Sequence, residues 1–349
     1  MSVQAAPAPF SLEGVRVKRS ARPTAWLLVP GAALLAVLAA MPSLVSTANT
    51  DLLVNVFILL TVSAMWNLLA GYAGMISIGQ QAFIGLGAYS VLVIAMGHVS
   101  PFAAIPLAML VCGALAIPIS YVVFRLRGGY FAIATWVVAE TARLIISSIQ
   151  SLGGGTGKKV QGLSGLSPKA FTYDTYWAAL VVAVLAVGGS YLVLRSRLGL
   201  QLSAMRDNEI GARSAGVRVD RARRIVFVVA ALGCAGAGAL LAVSQLQVQP
   251  TSVFSVQWSA EMIFACLIGG LGTLEGPLVG TVIFFVLQQN LSSHGAWYLI
   301  IFGSAAVVIA IWLPRGLWGS VVQRTRLEVL PVGYHIRGAK QAARGKASG

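Results

Sequence analysis

From Leu52 to Phe124 the chain runs for 73 residues without an Asp, Glu, Lys or Arg. One bilayer crossing takes about 20 apolar residues, so this stretch alone holds three or four transmembrane helices. The composition agrees: 57% of the 349 residues are hydrophobic and 10% are charged, against roughly 25% charged in a soluble domain. An outer-membrane barrel would alternate polar and apolar residues with a period of two, and no such alternation is visible. With 38 glycines and a mean hydropathy of +0.82, the sequence predicts an all-α polytopic integral membrane protein.

In a soluble chain a net charge of +15 would suggest a nucleic-acid partner. Here the basic residues report orientation instead, and no nucleic acid is expected. Residues 1–23, with Arg16, Lys18, Arg19 and Arg22, read as a disordered basic tail held against membrane lipid of the anionic cytoplasmic leaflet. A charge-free run from Thr24 to Thr50 follows; its length and internal Pro30 favour a retained helix over a cleaved signal peptide. Further helices are predicted near 52–70, 75–97, 102–124, 130–149, 175–194, 225–244, 260–271, 277–291 and 296–313, making ten. The membrane domain then spans 24–318, with a polar, Arg-rich segment at 195–224 within it and a second basic tail at 319–349. On this count 21 of the 25 basic residues fall on one side. The other side receives Lys158, Lys159 and Lys169, so the positive-inside rule places both termini in the cytoplasm and residues 151–174 outside.

Cys112, Cys234 and Cys266 lie in apolar runs without short spacing, and three scattered histidines offer no ligand cluster. The thiols read as core packing, and metal chemistry is not expected.

Two glycine-rich breaks interrupt the membrane helices, at 71–87 and at 269–277. Irregular backbone at membrane depth must be buried in protein or line a cavity, and paired breaks in separate halves point to a transport path. Around the first break stand Asn67, Ser77, Gln80 and Gln81, each costing roughly 1 to 3 kcal/mol if buried without a partner. They either hydrogen-bond between helices or line that path. Glu140 and Arg143, three apart on one helical face, are expected to neutralise each other as an intramembrane ion pair. In the Arg-rich segment, Leu202, Met205, Ile210 and Val217 form one apolar side at helical spacing and leave Arg206, Asp207, Glu209 and Arg213 exposed. Gly153–Lys159 superficially matches a phosphate-binding loop, but Leu152 and Lys159 stand where GxxxxGK[ST] needs Gly and Ser/Thr.

The run NLLAGYAGMISIGQQAFIGLGAY from Asn67 resembles the signature of branched-chain amino-acid ABC-transporter permeases, in particular their M-type subunit. Similar pieces follow in the same order: RLRGGYFAIAT from Arg125, AETAR from Ala139, RLGLQLSAMRDNEIGARSAGV from Arg197, GGLGTLEGP from Gly269 and LPRGL from Leu313. After Leu152 the chain departs from the family pattern, with GGGTGKKVQG in a loop that would face a periplasmic binding protein. The resemblance implies a translocation subunit in the bacterial inner membrane. Its partners would be a second homologous permease, two ATPase subunits and a periplasmic substrate-binding protein. It further implies that the chain is not itself an enzyme, and that it holds no cofactor of its own because ATP is used by the partner subunit. Finally, it implies that the segment containing Arg206, Asp207, Asn208, Glu209, Arg213 and Gly216 is the coupling helix docking on that ATPase. The alternative is an ion-coupled secondary transporter or passive channel, which would place several carboxylates at membrane depth, where this chain offers Glu140 and Glu261.

Overall fold

The computed structural model describes residues 16–19, 25–161, 167–291, 316–325 and 334–337, with isolated residues between 300 and 313. The order is α1 (Ala25–Leu44), α2 (Thr47–Asn67), α3 (Gln81–Met96), α4 (Pro101–Val123), α5 (Gly129–Ser148) and α6 (Pro168–Arg195). There follow α7 (Arg197–Asp207), α8 (Glu209–Ser214), α9 (Val219–Gln245), α10 (Pro250–Val253), α11 (Gln257–Gly269), α12 (Gly276–Leu291) and a last helix, Gly316–Thr325. Helix starts follow local chemistry. Ser167 Oγ accepts the Ala170 N–H at 3.3 Å with Pro168 in the first turn, and Ser196 Oγ accepts the Leu198 N–H at 3.1 Å where α7 leaves α6.

Six of these stretches are long and apolar enough to cross a membrane: Thr47–Tyr72, Pro101–Val123, Gly129–Ser148, Pro168–Arg195, Val219–Gln245 and Pro250–Gly269. Three shorter apolar helices, Gly31–Leu44, Gln81–Met96 and Gly276–Leu291, accompany them. The span predicted at 296–313 lies mostly outside the described residues. Four helix starts need correction; α2 begins at Thr47 rather than 52 and α9 at Val219 rather than 225. The helix expected from 75 begins only at Gln81, because α2 ends in a π-turn, Leu68–Tyr72, and Gly74 then takes φ +68°. The helix expected from 175 begins at Pro168, one cap earlier than the apolar run alone suggested.

Helix α9 is the axis of the bundle. Its GCAGAGALLA stretch is buried on every side, and it packs against α2, α3, α4 and α6. At the crossing with α3, Gly87 lies on the Ala235 carbonyl and Gly238 on the Ile84 carbonyl, with no room for a Cβ at either. Such contact lets backbones approach where lipid supplies no hydrophobic drive between helices. Phe83 and Phe124 pack edge-on against Phe227 of α9 and close the core around it. By contrast α5 is peripheral: 22% of its spanning part is buried, against 78% in α9.

Two short antiparallel ladders complete the fold. Lys158–Lys159 pairs with Gln247–Val248, and Arg16–Arg19 pairs with Tyr334–Arg337. The second tail also contributes 319–325 to the last helix, and the rest of the two basic tails lies outside the described residues.

Candidate functional site

The two breaks meet. Asn67, at the end of α2, donates from Nδ2 to the Thr273 carbonyl at 2.8 Å and accepts the Gly272 N–H on Oδ1 at 2.9 Å. One amide thus satisfies two backbone groups that the α11–α12 link, 270–275, leaves outside any helix. Directly beyond it, the π-turn frees the Gly71 carbonyl, which accepts from Arg206 Nη1 at 2.8 Å. Gly71 packs on the Gly272 backbone so closely that a Cβ would collide with it and with Asn67 Oδ1.

Segment 73–80 is pinned from three sides. Trp66 Nε1 donates to the Ser77 carbonyl at 2.8 Å, the Ile78 N–H reaches Thr135 Oγ1 of α5 at 3.2 Å, and Ser259 Oγ of α11 donates to the Ile78 carbonyl at 3.0 Å. Within it, Ser77 Oγ accepts from Gln80 Nε2 at 3.3 Å and Gln80 Oε1 receives the Cys234 thiol at 3.5 Å. Gln81 Oε1 accepts from Ser259 Oγ. Asn67, Ser77, Gln80 and Gln81 are therefore brought together around the first break, buried and bonded inside this chain. Cys112, Cys234 and Cys266 are buried free thiols.

The Arg-rich segment is a hairpin of two helices. Asn208 breaks α7 from α8 and caps α8, its Oδ1 accepting the Gly211 N–H at 2.9 Å. Leu202 and Met205 face the bundle as expected, but Ile210 does not: its side chain is 79% exposed, because the turn at Asn208 rotates α8 relative to α7. A second correction concerns Glu209, which is not a free exposed charge. Arg223 holds it at 2.7 Å, Arg213 at 3.1 Å, and Arg127 stands 3.9 Å away. Arg213 also reaches Asp220 at 2.9 Å. Burial raises the Glu209 carboxyl, but donation from Arg223 and Arg213 and the charge of Arg127 outweigh it and hold it below the usual carboxylate range. Asp207 is exposed beside Arg206, and Gly216, at φ +83°, has open space around it.

Between this hairpin, the first break and the α4–α5 turn lies a cavity of about 340 Å³. Arg127, Arg206, Glu209 and Arg223 line it together with apolar side chains such as Phe131 and Ile76. Arg223 lies in the RARR run that opens α9, and Arg127 and Thr135 lie within the RLRGGYFAIAT run from Arg125, yet the sequence assigns none of them a site role; nothing local marks Ser259.

Glu140 and Arg143 do pair, Arg143 Nε lying 3.0 Å from both carboxylate oxygens. The pair is not enclosed by this chain, however: it sits on the outer face of α5, with side-chain exposures of 46% and 26%. The pair flanks the buried stripe of Phe131, Ala132, Thr135 and Ala139, about a quarter turn round the helix from its centre.

Comparison with known proteins agrees with this architecture. The chain is 28% identical over 312 residues to the high-affinity branched-chain amino acid transport system permease protein LivM of Salmonella typhimurium, covering 82% of this chain and 73% of that protein. LivM of Escherichia coli K12 is 26% identical over the same shares. A more partial relative is the xylose transport system permease protein XylH of Escherichia coli K12, 29% identical over 38% of this chain and 36% of that protein. No solved structure matches the chain. Residues 48–316 match the family described as branched-chain amino acid transport system / permease component, and the chain belongs to that family.

Proposed function

We propose that this permease is the translocation subunit of an ATP-driven importer for branched-chain amino acids or closely related small amino acids and amides. In this reading it sits in the bacterial inner membrane with both termini in the cytoplasm. It works with a second homologous permease, two ATPase subunits that consume the ATP, and a periplasmic binding protein that does most of the substrate selection. The antiparallel pairing of Arg16–Arg19 with Tyr334–Arg337 supports both ends lying on one side.

The observation that carries the reading is Arg206. It projects from the α7–α8 hairpin, donates to the Gly71 carbonyl in the first break, and its Nη1 lies beside Gly272 in the second. A rigid push on the hairpin therefore reaches both interrupted segments through one guanidinium, without crossing intervening side chains. Asn67 joins the two breaks, so they move as a unit. An ATPase docked beneath the hairpin would have direct purchase on the part of the bundle whose backbone is least fixed by regular helix bonding.

The test is uptake by the full complex in proteoliposomes. Arg206→Gln is expected to keep ATPase subunits bound while lowering ATP-dependent uptake at least about tenfold, the loss from removing roughly 1.4 kcal/mol or more of coupling. Uptake that proceeds without any ATPase subunit, driven by an ion gradient or passively, would defeat the importer reading.

A further inference from the structure

The cavity beneath the α4–α5 turn has two characters at once. One wall is cationic, made by Arg127, Arg206 and Arg223 with Glu209 as the one carboxylate, a surplus of two positive charges. The other is apolar, with Phe124, Phe131, Met75 and Ile76. Arg223 spends both terminal nitrogens on Glu209, yet its Nε is buried without a hydrogen-bond partner. Arg127 is 72% exposed at the side chain, and among the described residues its one ion pair, with Glu209, is at 3.9 Å, so it can close on a ligand. The cavity also lies where α4 ends at Val123, α5 begins at Gly129 and α9 begins at Val219, at the boundary between spanning and polar chain. Beside it the exposed Leu126 and Tyr130 continue its apolar wall onto the outside of the bundle.

We infer that this cavity binds the phosphodiester headgroup of an anionic phospholipid, with the arginines on the phosphate and the start of the acyl chains against Phe131 and Ile76. A soluble anion would use the arginines and leave the apolar wall wet; a zwitterionic lipid would bring its own cation against them. Basic pockets at the ends of membrane helices suit anionic headgroups for this reason. Bound there, the lipid contacts Arg206 and the Glu209 cluster together, so its occupancy tunes the stiffness of the hairpin. The inference rests on the membrane fold and not on the importer reading, and its test requires no transport.

The full chain, purified in mild detergent, would be loaded with phosphatidylglycerol or phosphatidylcholine and the lipid retained per chain measured by native mass spectrometry. One phosphatidylglycerol per chain is expected to survive delipidation that removes phosphatidylcholine. Arg127→Gln should lower its retention about fivefold, the contribution of one basic side chain at a membrane surface. Ile76→Trp should lower it by filling the apolar side with no change of charge. Arg221→Gln, an exposed arginine outside the cavity, should leave retention unchanged. Equal retention of phosphatidylcholine, equal loss with Arg221→Gln, or displacement by free glycerophosphoglycerol at the same concentration as the intact lipid would each overturn the assignment.

Discussion

At the scale of the residue, Asn67 does what two backbone bonds would do elsewhere. Replacing it by alanine leaves the Gly272 N–H and the Thr273 carbonyl, both partly buried, without the amide that pairs them. Asn67→Ala is therefore expected to destabilise the permease by about 2–4 kcal/mol, read as a lower melting midpoint in detergent, with Asn67→Asp recovering the bond from Gly272 alone. Glu140 and Arg143 behave differently. A single charge left at bilayer depth costs about 2.5–3.5 kcal/mol, so Glu140→Gln should hurt assembly more than the double change with Arg143→Met, in which neither charge remains. A double variant that folds normally and yet transports as poorly as Glu140→Gln would show that the ionised pair acts in transport itself. For Glu209 the sign follows from its lowered carboxyl: the stabilisation is complete above the ordinary value of about 4.3 and is lost as pH falls through the lower folded value. Protection of the hairpin against proteolysis should thus hold from neutral pH down to about 5 and fail in stronger acid, whereas Glu209→Gln should be less protected near neutral pH and converge with the native chain in acid.

At the scale of the element, the turn at Asn208 sets which side the α7–α8 hairpin, the proposed ATPase-docking segment, turns outward. Ile210, at 79% the most exposed large apolar residue of the hairpin, is left uncovered by the other described residues. Ile210→Asp is expected to abolish co-purification of an ATPase subunit while leaving the melting midpoint of the permease unchanged; retained co-purification would put the docking surface elsewhere. Periodicity made α7 legible, since Leu202 and Met205 recur at helical spacing and Ser196 caps them. It misplaced Ile210 because a single helical wheel was drawn across a residue whose backbone, φ −154° and ψ 101°, is extended. The same limit applies to the first break. Glycine content announced an interruption, but the register of Gln81 as first helical residue depends on Thr135, Ser259 and Cys234, which lie more than fifty residues away and leave no trace in local pattern.

For the whole molecule, the distribution of basic residues predicts a topology that is open to direct measurement. With the native cysteines buried, Thr156→Cys should react with a membrane-impermeant maleimide added outside intact cells and Ser214→Cys should react only after permeabilisation. Both positions are exposed, so the reverse pattern would invert the protein. The bundle itself was legible as apolar helices because length and hydropathy are local properties. That α9 is its axis and α5 its rim is less legible: both are apolar runs, told apart by the alanines and glycines of α9 and by Glu140 and Arg143 in α5. The bond from Asn67 to Thr273 spans 206 residues of sequence, which has a consequence for synthesis. At roughly 5–20 residues per second the ribosome needs about 10–40 s to make the second break after the first. Throughout that interval the Asn67 side chain sits at bilayer depth with its destined acceptor still untranslated. A nascent chain stalled before residue 273 would then expose this amide to any membrane protease or insertion factor able to sense polarity between helices.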